Sequence, residues 1–329
     1  MYKAYFKLTH NPFDLTPDPT YFFSTRRHNE ALAALHYGVR GHKGFVVVTG
    51  EVGTGKTLLL RCLMKLLKDS EDVAYAYLFN SRLSPTEFLQ YILSDFGREA
   101  SGKNKSELLL DLAQFLIARG SKKLTTVIIV DEAHHLSAEI LEEVRLLSNL
   151  ETADDKLLQI VLVGQPELDE KLDSIGLRQL KQRIALRAQL DPLDADQTGG
   201  YIEKRLQVAG ADLHTNPLFS AQTVAAVYRH SRGFPRLINT ICENSLISAY
   251  ARQLPNVTPE IVDEVAMELR LDVVSSTTVE RSDGQSEMDM QGATTLLLDR
   301  NVTLQTAIST DSDLDTAVAV EQCQHEQYI

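Results

Sequence analysis

The stretch that decides the fold is Gly50-Glu51-Val52-Gly53-Thr54-Gly55-Lys56-Thr57. It matches the pattern G-x-x-x-x-G-K-[ST] in full, follows the apolar run Phe45 to Thr49 and precedes the helical pattern Leu58 to Leu67. Glycines let a backbone curl so that successive N–H groups face phosphate oxygens, and the following helix adds the positive end of its dipole. A chance glycine turn would rarely have both flanking elements, so the stretch predicts a phosphate-binding loop.

Two side chains of this loop have expected roles in binding ATP with Mg²⁺. Lys56 is expected to contact the β and γ phosphates, and the Thr57 hydroxyl to ligate the magnesium ion. The backbone from Gly50 to Thr57 would supply the rest of the cradle. The sequence therefore predicts a Mg-ATP site at this turn.

A second motif, Asp131-Glu132, follows the apolar run Val127 to Val130. Ligands of open α/β sheets bind beyond the carboxyl ends of the strands, so both acids are expected to face the phosphates. Asp131 is then the expected Mg²⁺ partner, directly or through water, and Glu132 is expected to orient and deprotonate the attacking water. An acid pair after a strand can instead cap a helix, but the phosphate loop favours the chemical interpretation.

Further polar side chains are candidates for sensing or stabilising phosphate charge. Gln165 follows another apolar run, where it could hold the attacking water or the γ phosphate, or serve only as a turn residue before Pro166. Arg178 or Arg183 could reach a neighbouring subunit's nucleotide as an arginine finger, or lie on the solvated surface. Arg236 stands at a predicted helix start, where it could contact the γ phosphate or simply be exposed.

Histidines and cysteines do not form a metal pattern. His134 and His135 are adjacent in sequence, whereas helical residues must be three or four positions apart to face together. The cysteines at 62, 242 and 323 are scattered, with neither metal-ligand spacing nor a disulfide framework. No zinc site is expected.

The order of the apolar runs indicates the fold class. Short apolar runs alternate with helical patterns, which predicts an α/β unit with a parallel sheet; the runs are 44–49, 73–79, 126–130, 159–164 and 184–190. Strand signals then vanish, and four helical patterns follow, at 198–209, 220–230, 236–254 and 259–271. The predicted organisation is a proline- and aromatic-rich strap (1–25), an α/β phosphate-loop domain (26–194), a helical lid (195–274) and an acidic disordered tail (275–329).

The composition allows a buried core, with 43% hydrophobic and 24% charged residues in 329. No stretch approaches the roughly 18 apolar residues of a membrane helix, and Met1 to His10 lacks the build of a signal peptide, so a cytoplasmic location is expected. Of the formal charge of -12, ten acidic residues and two arginines in Ser275 to Ile329 account for -8. The remaining residues, Met1 to Val274, carry a net charge of -4. This charge does not indicate a broad nucleic-acid-binding surface, although it is compatible with a local basic patch.

With these motifs placed, roughly Met1 to Leu271 resembles the AAA+ ATPases of the general secretion pathway A type (the ExeA type) and their relatives linked to pilus and exopolysaccharide export. The loop and acid pair are general to many ATPases. Other segments are more specific: Asn11-Pro12-Phe13 with Pro17-Asp18-Pro19, Tyr37-Gly38-Val39, Asp131-Glu132-Ala133-His134, Leu162 to Leu168, Gln182-Arg183-Ile184 and Gly233-Phe234-Pro235-Arg236.

This resemblance implies a five-stranded parallel sheet in the order 5-1-4-3-2, followed by a small helical lid. It implies that Gln165 is sensor 1, that Arg236 is sensor 2, and that a finger in Arg178 to Arg183 acts within a ring-like homo-oligomer. It also suggests that the strap around Pro12, Phe13 and His28 helps to hold the adenine.

One departure from the family shapes the expected role. ExeA-type proteins continue through a membrane helix into a peptidoglycan-binding domain, whereas this chain continues into an acidic segment, so a cytoplasmic role beside an envelope export machine is expected. Two alternatives remain open. One is a DNA-linked regulator similar to transposition ATPases of the TniB kind, and the other is a nucleotide-switch scaffold with little turnover.

Overall fold

A computed structural model describes residues 1–79, 83–152, 155–212 and 217–271. The predicted acidic tail, 275–329, lies outside these described residues. Within them, no helix is both long enough and apolar enough to cross a bilayer.

The core of the molecule is one five-stranded sheet whose neighbouring strands all pair in parallel. Its spatial order is β2-β3-β4-β1-β5, which is the predicted 5-1-4-3-2 order counted from the other edge, so the predicted fold class is confirmed. The strands are β1 Phe45–Gly50, β2 Val73–Leu78, β3 Thr125–Val130, β4 Gln159–Gly164 and β5 Ile184–Leu190.

Helices cover both faces of this sheet and form a second unit after it. Among the residues that the structure describes, 3-10 turns lie at Pro19–Tyr21, Ala133–His135 and Ile175–Leu177. The α-helices of the described residues are α1 Tyr2–Tyr5, α2 Arg26–Arg40, α3 Lys56–Lys68, α4 Pro85–Asp95, α5 Lys105–Gly120, α6 Ala138–Leu147, α7 Glu167–Leu172, α8 Arg178–Lys181, α9 Ala195–Val208, α10 Ala221–Ser231, α11 Pro235–Ala251 and α12 Pro259–Glu268.

The three central strands, β1, β3 and β4, are buried throughout and mostly apolar, because helices cover both of their faces. In β1, Val46 and Val48 pack with α2 and α3 on one face, whereas Phe45 and Val47 pack with α4 to α6 on the other. Strand β5 lies at the edge, and its residues alternate between partly buried and exposed. The sheet therefore has two separate apolar cores, with the carboxyl ends of all five strands at one edge.

Helices α9 to α12 form the lid, which has a third apolar core of its own. The N-terminal segment belongs to this core, since Phe13 is 1% exposed and packs edge-on against Phe219. Arg205 of α9 is buried and donates to the carbonyls of Pro12 and Asp14, at 2.5 and 3.0 Å. These contacts fasten the first residues of the chain to the lid.

A glycine allows the lid to meet the end of the sheet domain. Gly233, between α10 and α11, has φ +77°, and its carbonyl accepts the N–H of Leu193 at 2.9 Å. A Cβ at this position would lie 1.8 Å from the Leu193 carbonyl oxygen, far inside van der Waals contact. Only glycine allows the two backbones to approach this closely.

We predict that Gly233→Ala lowers the free energy of unfolding by about 2–5 kcal/mol, because left-handed strain of about 1–2 kcal/mol adds to overpacking of about 1–3 kcal/mol. Gly97→Ala is the matched control, since Gly97 has φ +72° and no neighbouring atom within 4 Å of where its Cβ would stand. The Gly97→Ala variant should lose only the strain contribution of about 1–2 kcal/mol from its free energy of unfolding. Urea unfolding of both variants gives the comparison, and equal losses would contradict the role of the Leu193 contact.

Candidate nucleotide-binding site

The predicted phosphate loop is a tight turn between β1 and α3. Strand β1 ends at Gly50 and α3 begins at Lys56, so the loop spans the backbone between them. Gly53 and Gly55 have φ +84° and +97°, left-handed values that glycine adopts without strain. Gly55 is the N-cap of α3, and the first N–H groups of that helix therefore point into the loop.

Lys56 lies folded against the loop that it belongs to. Its Nζ donates to the carbonyl oxygens of Gly50 and Glu51 at 2.8 and 2.9 Å, and its side chain is buried. Burial lowers the pKa of this ammonium, while the carboxylates of Glu132 and Asp131 oppose that shift. The cation is thus held at the loop mouth, where a phosphate group would compete with the two carbonyls.

Asp131 joins the end of β3 to the start of α3. Its Oδ2 accepts the hydroxyl of Thr57 at 2.9 Å, and its Oδ1 accepts the N–H of Glu132 at 2.9 Å. Tyr77 of β2 donates its hydroxyl to the same Oδ2 at 3.2 Å. Burial raises the pKa of the Asp131 carboxyl, although these three hydrogen bonds act in the opposite direction.

This donor set suits Mg²⁺. A carboxylate and a hydroxyl stand 2.9 Å apart at the start of a helix, and both offer the hard oxygen ligands that this ion prefers in nucleotide sites. Thr57 and Asp131 are the residues that would hold it. The predicted pair therefore lies together in the fold.

Glu132 adopts a left-handed backbone conformation, with φ 51° and ψ 38°. Non-glycine residues rarely adopt this conformation, and the residue as a whole is partly buried. Its Oε2 lies 3.3 Å from Nδ1 of His134. Glu132 thus lies directly after Asp131, beyond the end of β3.

Gln165 follows β4, between the loop after β1 and the acids after β3. Its Nε2 lies 3.0 Å from Nε2 of His134. The strand order therefore places Gln165 beside the acid pair, where the sequence predicts a sensor.

Arg236 is the second residue of α11, and the lid helix starts directly against the loop. Its backbone N–H points to the Gly53 carbonyl at 3.4 Å, and its Cβ lies 3.0 Å from where a Gly53 Cβ would stand. The side chain is exposed. Arg236, the predicted sensor 2, thus begins its helix beside the phosphate loop.

The two candidate finger residues differ in their surroundings. Nη1 of Arg183 donates to the Arg145 carbonyl at 3.0 Å and to the Ser148 hydroxyl at 2.5 Å, so its guanidinium is fixed to the end of α6. Arg178, at the start of α8, is exposed. The structure therefore distinguishes two arginines that the sequence leaves equivalent.

The residues predicted to contact the adenine have different surroundings. Pro12 and Phe13 are buried at the lid, where Phe13 packs on Phe219. His28 of α2 is buried beneath the loop instead, and its Nε2 lies 3.1 Å from the Thr54 carbonyl. Because a carbonyl only accepts, Nε2 carries the proton, and Nδ1 accepts the Thr25 hydroxyl at 2.7 Å. His28 therefore supports the loop backbone from below.

Sequence reasoning missed two contacts of the site. Tyr77 was overlooked because β2 has no motif, although the strand order places it beside β3. His134 was considered only as a metal ligand, and its contacts with Glu132 and Gln165 depend on a fold that brings two loops together. Within the described residues, no group of three or more potential ligands could hold a further metal ion.

The amino-acid sequence matches a known protein family and a characterised relative. Residues 39–172 match the family described as the AAA domain. Over 253 residues the chain is 44% identical to the general secretion pathway protein A of Aeromonas hydrophila, an alignment that covers 77% of this chain. The chain belongs to the AAA+ family. This AAA+ chain aligns with 45% of that relative, so it spans about half of the relative's length.

Solved structures show the same AAA+ fold. The Aeropyrum pernix ORC2 protein, in ADPNP-ADP complexes, has a TM-score of 0.62 and 18% identity, with 79% of this chain and 71% of that chain covered. Cdc6p of Pyrobaculum aerophilum has a TM-score of 0.59 and 20% identity, with 78% and 70% covered. At these identities the likeness shows the fold alone.

We predict that His28 makes the free energy of unfolding of this AAA+ chain depend on pH. Burial lowers its pKa in the folded protein below the ordinary value, which is about 6.5. Its contribution is therefore complete above that value and is lost as the pH falls through the lower folded pKa. His28→Gln keeps a donor for the Thr54 carbonyl but cannot titrate, so its stability should fall less between pH 7 and pH 5.

Denaturant unfolding across this pH range measures the difference. His10→Gln, at an exposed histidine, is the control and should retain the wild-type dependence. A wild-type slope in the His28→Gln variant would contradict the prediction.

Proposed function

We propose that this chain binds Mg-ATP in the loop from Gly50 to Thr57 and hydrolyses it. The observation that carries the proposal is the hydrogen bond between Thr57 and Asp131 at 2.9 Å, which joins the loop to the acid pair. Lys56 lies at the loop mouth, held by two backbone carbonyls that phosphate oxygens would replace.

Each residue has a separate part in the proposed reaction. The N–H groups of the loop and of the first turn of α3 bind the phosphates, and Lys56 neutralises the charge of the β and γ groups. Bound Mg²⁺, held by Thr57 and Asp131, would supply further charge neutralisation. Glu132 orients the attacking water and accepts its proton, while Gln165 contacts the γ phosphate or that water.

Arg236 is the proposed second sensor. Because α11 begins against Gly53, a γ phosphate in the loop would lie close to the Arg236 side chain. Contact between them would draw the lid toward the sheet domain, and loss of the phosphate would release it. Arg236 would then make this contact in the triphosphate state and not after loss of the γ phosphate, and a molecular switch requires such a difference between its two states.

We also propose that the chain assembles into a homo-oligomeric ring and acts with an envelope export or pilus system. The 44% identity to a protein named for general secretion supports this role. ATP turnover without any dependence on DNA is expected. Stimulation by duplex DNA that weakens steeply with salt would favour a DNA-linked role instead.

We predict that Glu132→Gln lowers kcat for ATP hydrolysis by about 10²- to 10⁴-fold, the usual contribution of a general base. Nucleotide affinity should stay within a few fold, because glutamine keeps the size of the side chain. Released phosphate and equilibrium binding of a fluorescent ATP analogue measure the two quantities. Lys56→Ala is the paired variant and should lose binding itself. Unchanged turnover in Glu132→Gln would sink the hydrolysis proposal.

We predict that Arg178→Ala, rather than Arg183→Ala, removes the finger. Arg178 is exposed, so its loss should leave stability unchanged and lower turnover by about 10³-fold, as expected of a finger supplied by a neighbour. Arg183→Ala should instead lower the free energy of unfolding by about 1–2 kcal/mol, since it breaks hydrogen bonds to Arg145 and Ser148. Measurements of ATP turnover and of urea unfolding on both variants distinguish a finger from a structural arginine. Light scattering in the presence of Mg-ATP gives the oligomeric state, and a chain that stays monomeric at all concentrations would contradict the finger.

A further inference from the structure

Tyr77 of β2 reaches the proposed metal ligands from a strand that carries neither of the two motifs. Its hydroxyl donates to Oδ2 of Asp131 at 3.2 Å, and the same oxygen accepts the Thr57 hydroxyl at 2.9 Å. A phenol has an ordinary pKa of about 10, so it is a donor at neutral pH. One carboxylate oxygen therefore accepts hydroxyl groups from two different elements, β2 and α3.

The Asp131 carboxylate depends on such donors for its orientation. Only 4% of the residue is exposed, so hydrogen bonds from the protein must replace those of water. The last torsion of an aspartate side chain is broad, and a carboxylate without fixed donors can rotate about it. Oδ1 accepts the N–H of Glu132 at 2.9 Å, while Oδ2 accepts Thr57 and Tyr77. Both oxygens are thus held in set directions.

The two donors to Oδ2 differ in what else is asked of them. Thr57 is itself a proposed ligand of Mg²⁺, so its hydroxyl oxygen would be shared between the ion and Asp131. Tyr77 is not a proposed ligand, and its hydroxyl can donate to Asp131 whether or not the site is occupied. The tyrosine is therefore the donor whose role toward Oδ2 is orientation.

The position of Tyr77 is itself fixed by three kinds of contact. Strand β2 lies at the edge of the sheet and pairs with β3 in a register that sets Tyr77 opposite Ile129. The backbone N–H of Tyr77 donates to Oδ2 of Asp95, at the end of α4, at 2.6 Å. Its ring packs against the apolar core that α2 and α3 share. Strand pairing, a hydrogen bond at the sheet edge and packing thus hold the hydroxyl in place.

We propose that Tyr77 is a positioning residue that orients Asp131 toward Mg²⁺. It acts through Asp131 and not as a ligand of the ion. This role rests on the proposed Mg-ATP site and adds one residue on which the affinity for the ion depends. Loss of the hydroxyl should therefore weaken binding of the ion and leave the phosphate loop intact.

Tyr77→Phe tests the role, because it removes the hydroxyl and keeps the ring. Binding of a fluorescent, non-hydrolysable ATP analogue is measured at increasing Mg²⁺ concentrations and also in EDTA. The Mg²⁺ concentration that gives half of the full gain in affinity should rise about 10-fold, a usual loss when a residue that orients a metal ligand is replaced. Affinity for the analogue in EDTA should stay within about twofold of wild type, because the loop and Lys56 supply it.

Tyr75→Phe is the matched control. Tyr75 lies two positions earlier in β2 and packs against the same apolar core, so the control removes a phenol hydroxyl from the same face of the same strand. Its dependence on Mg²⁺ should stay within about twofold of wild type. Circular dichroism and urea unfolding establish that both variants are folded.

A double-mutant cycle tests whether Tyr77 acts through Asp131. In an Asp131→Ala background, Tyr77→Phe should change the half-saturating Mg²⁺ concentration less than about twofold, because the carboxylate that it orients is absent. A tenfold effect that persists in this background would show a different route and overturn the proposal.

The remaining outcomes separate positioning from a merely structural role. An unchanged Mg²⁺ dependence in Tyr77→Phe, or equal losses of affinity with Mg²⁺ and in EDTA, would overturn the role of Tyr77 while the proposed Mg-ATP site stands. A wild-type chain that binds the analogue equally well with and without Mg²⁺, or not at all, would instead contradict the proposed site, and the role of Tyr77 would fall with it.

Discussion

The hydrogen bond from Thr57 to Asp131 is the interaction on which the rest of the site depends. It joins the helix that follows β1 to the end of β3, two strands that are separated by β4 in the sheet. Because the strands are parallel, the loop, the acid pair and Gln165 all lie at one edge, with Gln165 in the middle. The fold therefore places the proposed metal ligands, the proposed base and the proposed sensor at the same edge of the sheet.

The same edge is also where the two units of the chain meet. Arg236 begins α11 against Gly53, and the Gly233 carbonyl receives Leu193 from the linker after β5. His28 supports the loop from α2, while Arg205 fastens the N-terminal segment to the lid. The loop thus contacts the lid directly, and such contacts are the physical requirement for the proposed nucleotide-dependent change of shape.

The elements with strong local patterns could be predicted from the sequence. All five apolar runs became strands within about one residue of the expected bounds, because central parallel strands must be apolar on both faces. The phosphate loop and the acid pair were placed correctly relative to those strands. The strand order came from family resemblance, since no local pattern records which strands become neighbours.

What escaped prediction depends on distant side chains meeting. His134 is close to Glu132 in the chain, but its contact with Gln165 exists only because β3 and β4 are adjacent. Tyr77 reaches Asp131 because β2 pairs with β3, and β2 carries no motif that would have indicated this contact. The choice between Arg178 and Arg183 required the partners of Arg183 at the end of α6. The contact of His28 with the Thr54 carbonyl likewise joins α2 to a loop 26 positions further along the chain.

The most direct test of the central claim is a crystal structure of the chain with Mg²⁺ and a non-hydrolysable ATP analogue. The account predicts a triphosphate in the curl from Gly50 to Thr57, with Lys56 Nζ moved from the Gly50 and Glu51 carbonyls onto the β and γ phosphates. It also predicts the metal ion at the Thr57 hydroxyl, on the side that faces Asp131. A nucleotide bound elsewhere, or a loop that stays empty under saturating analogue, would contradict it.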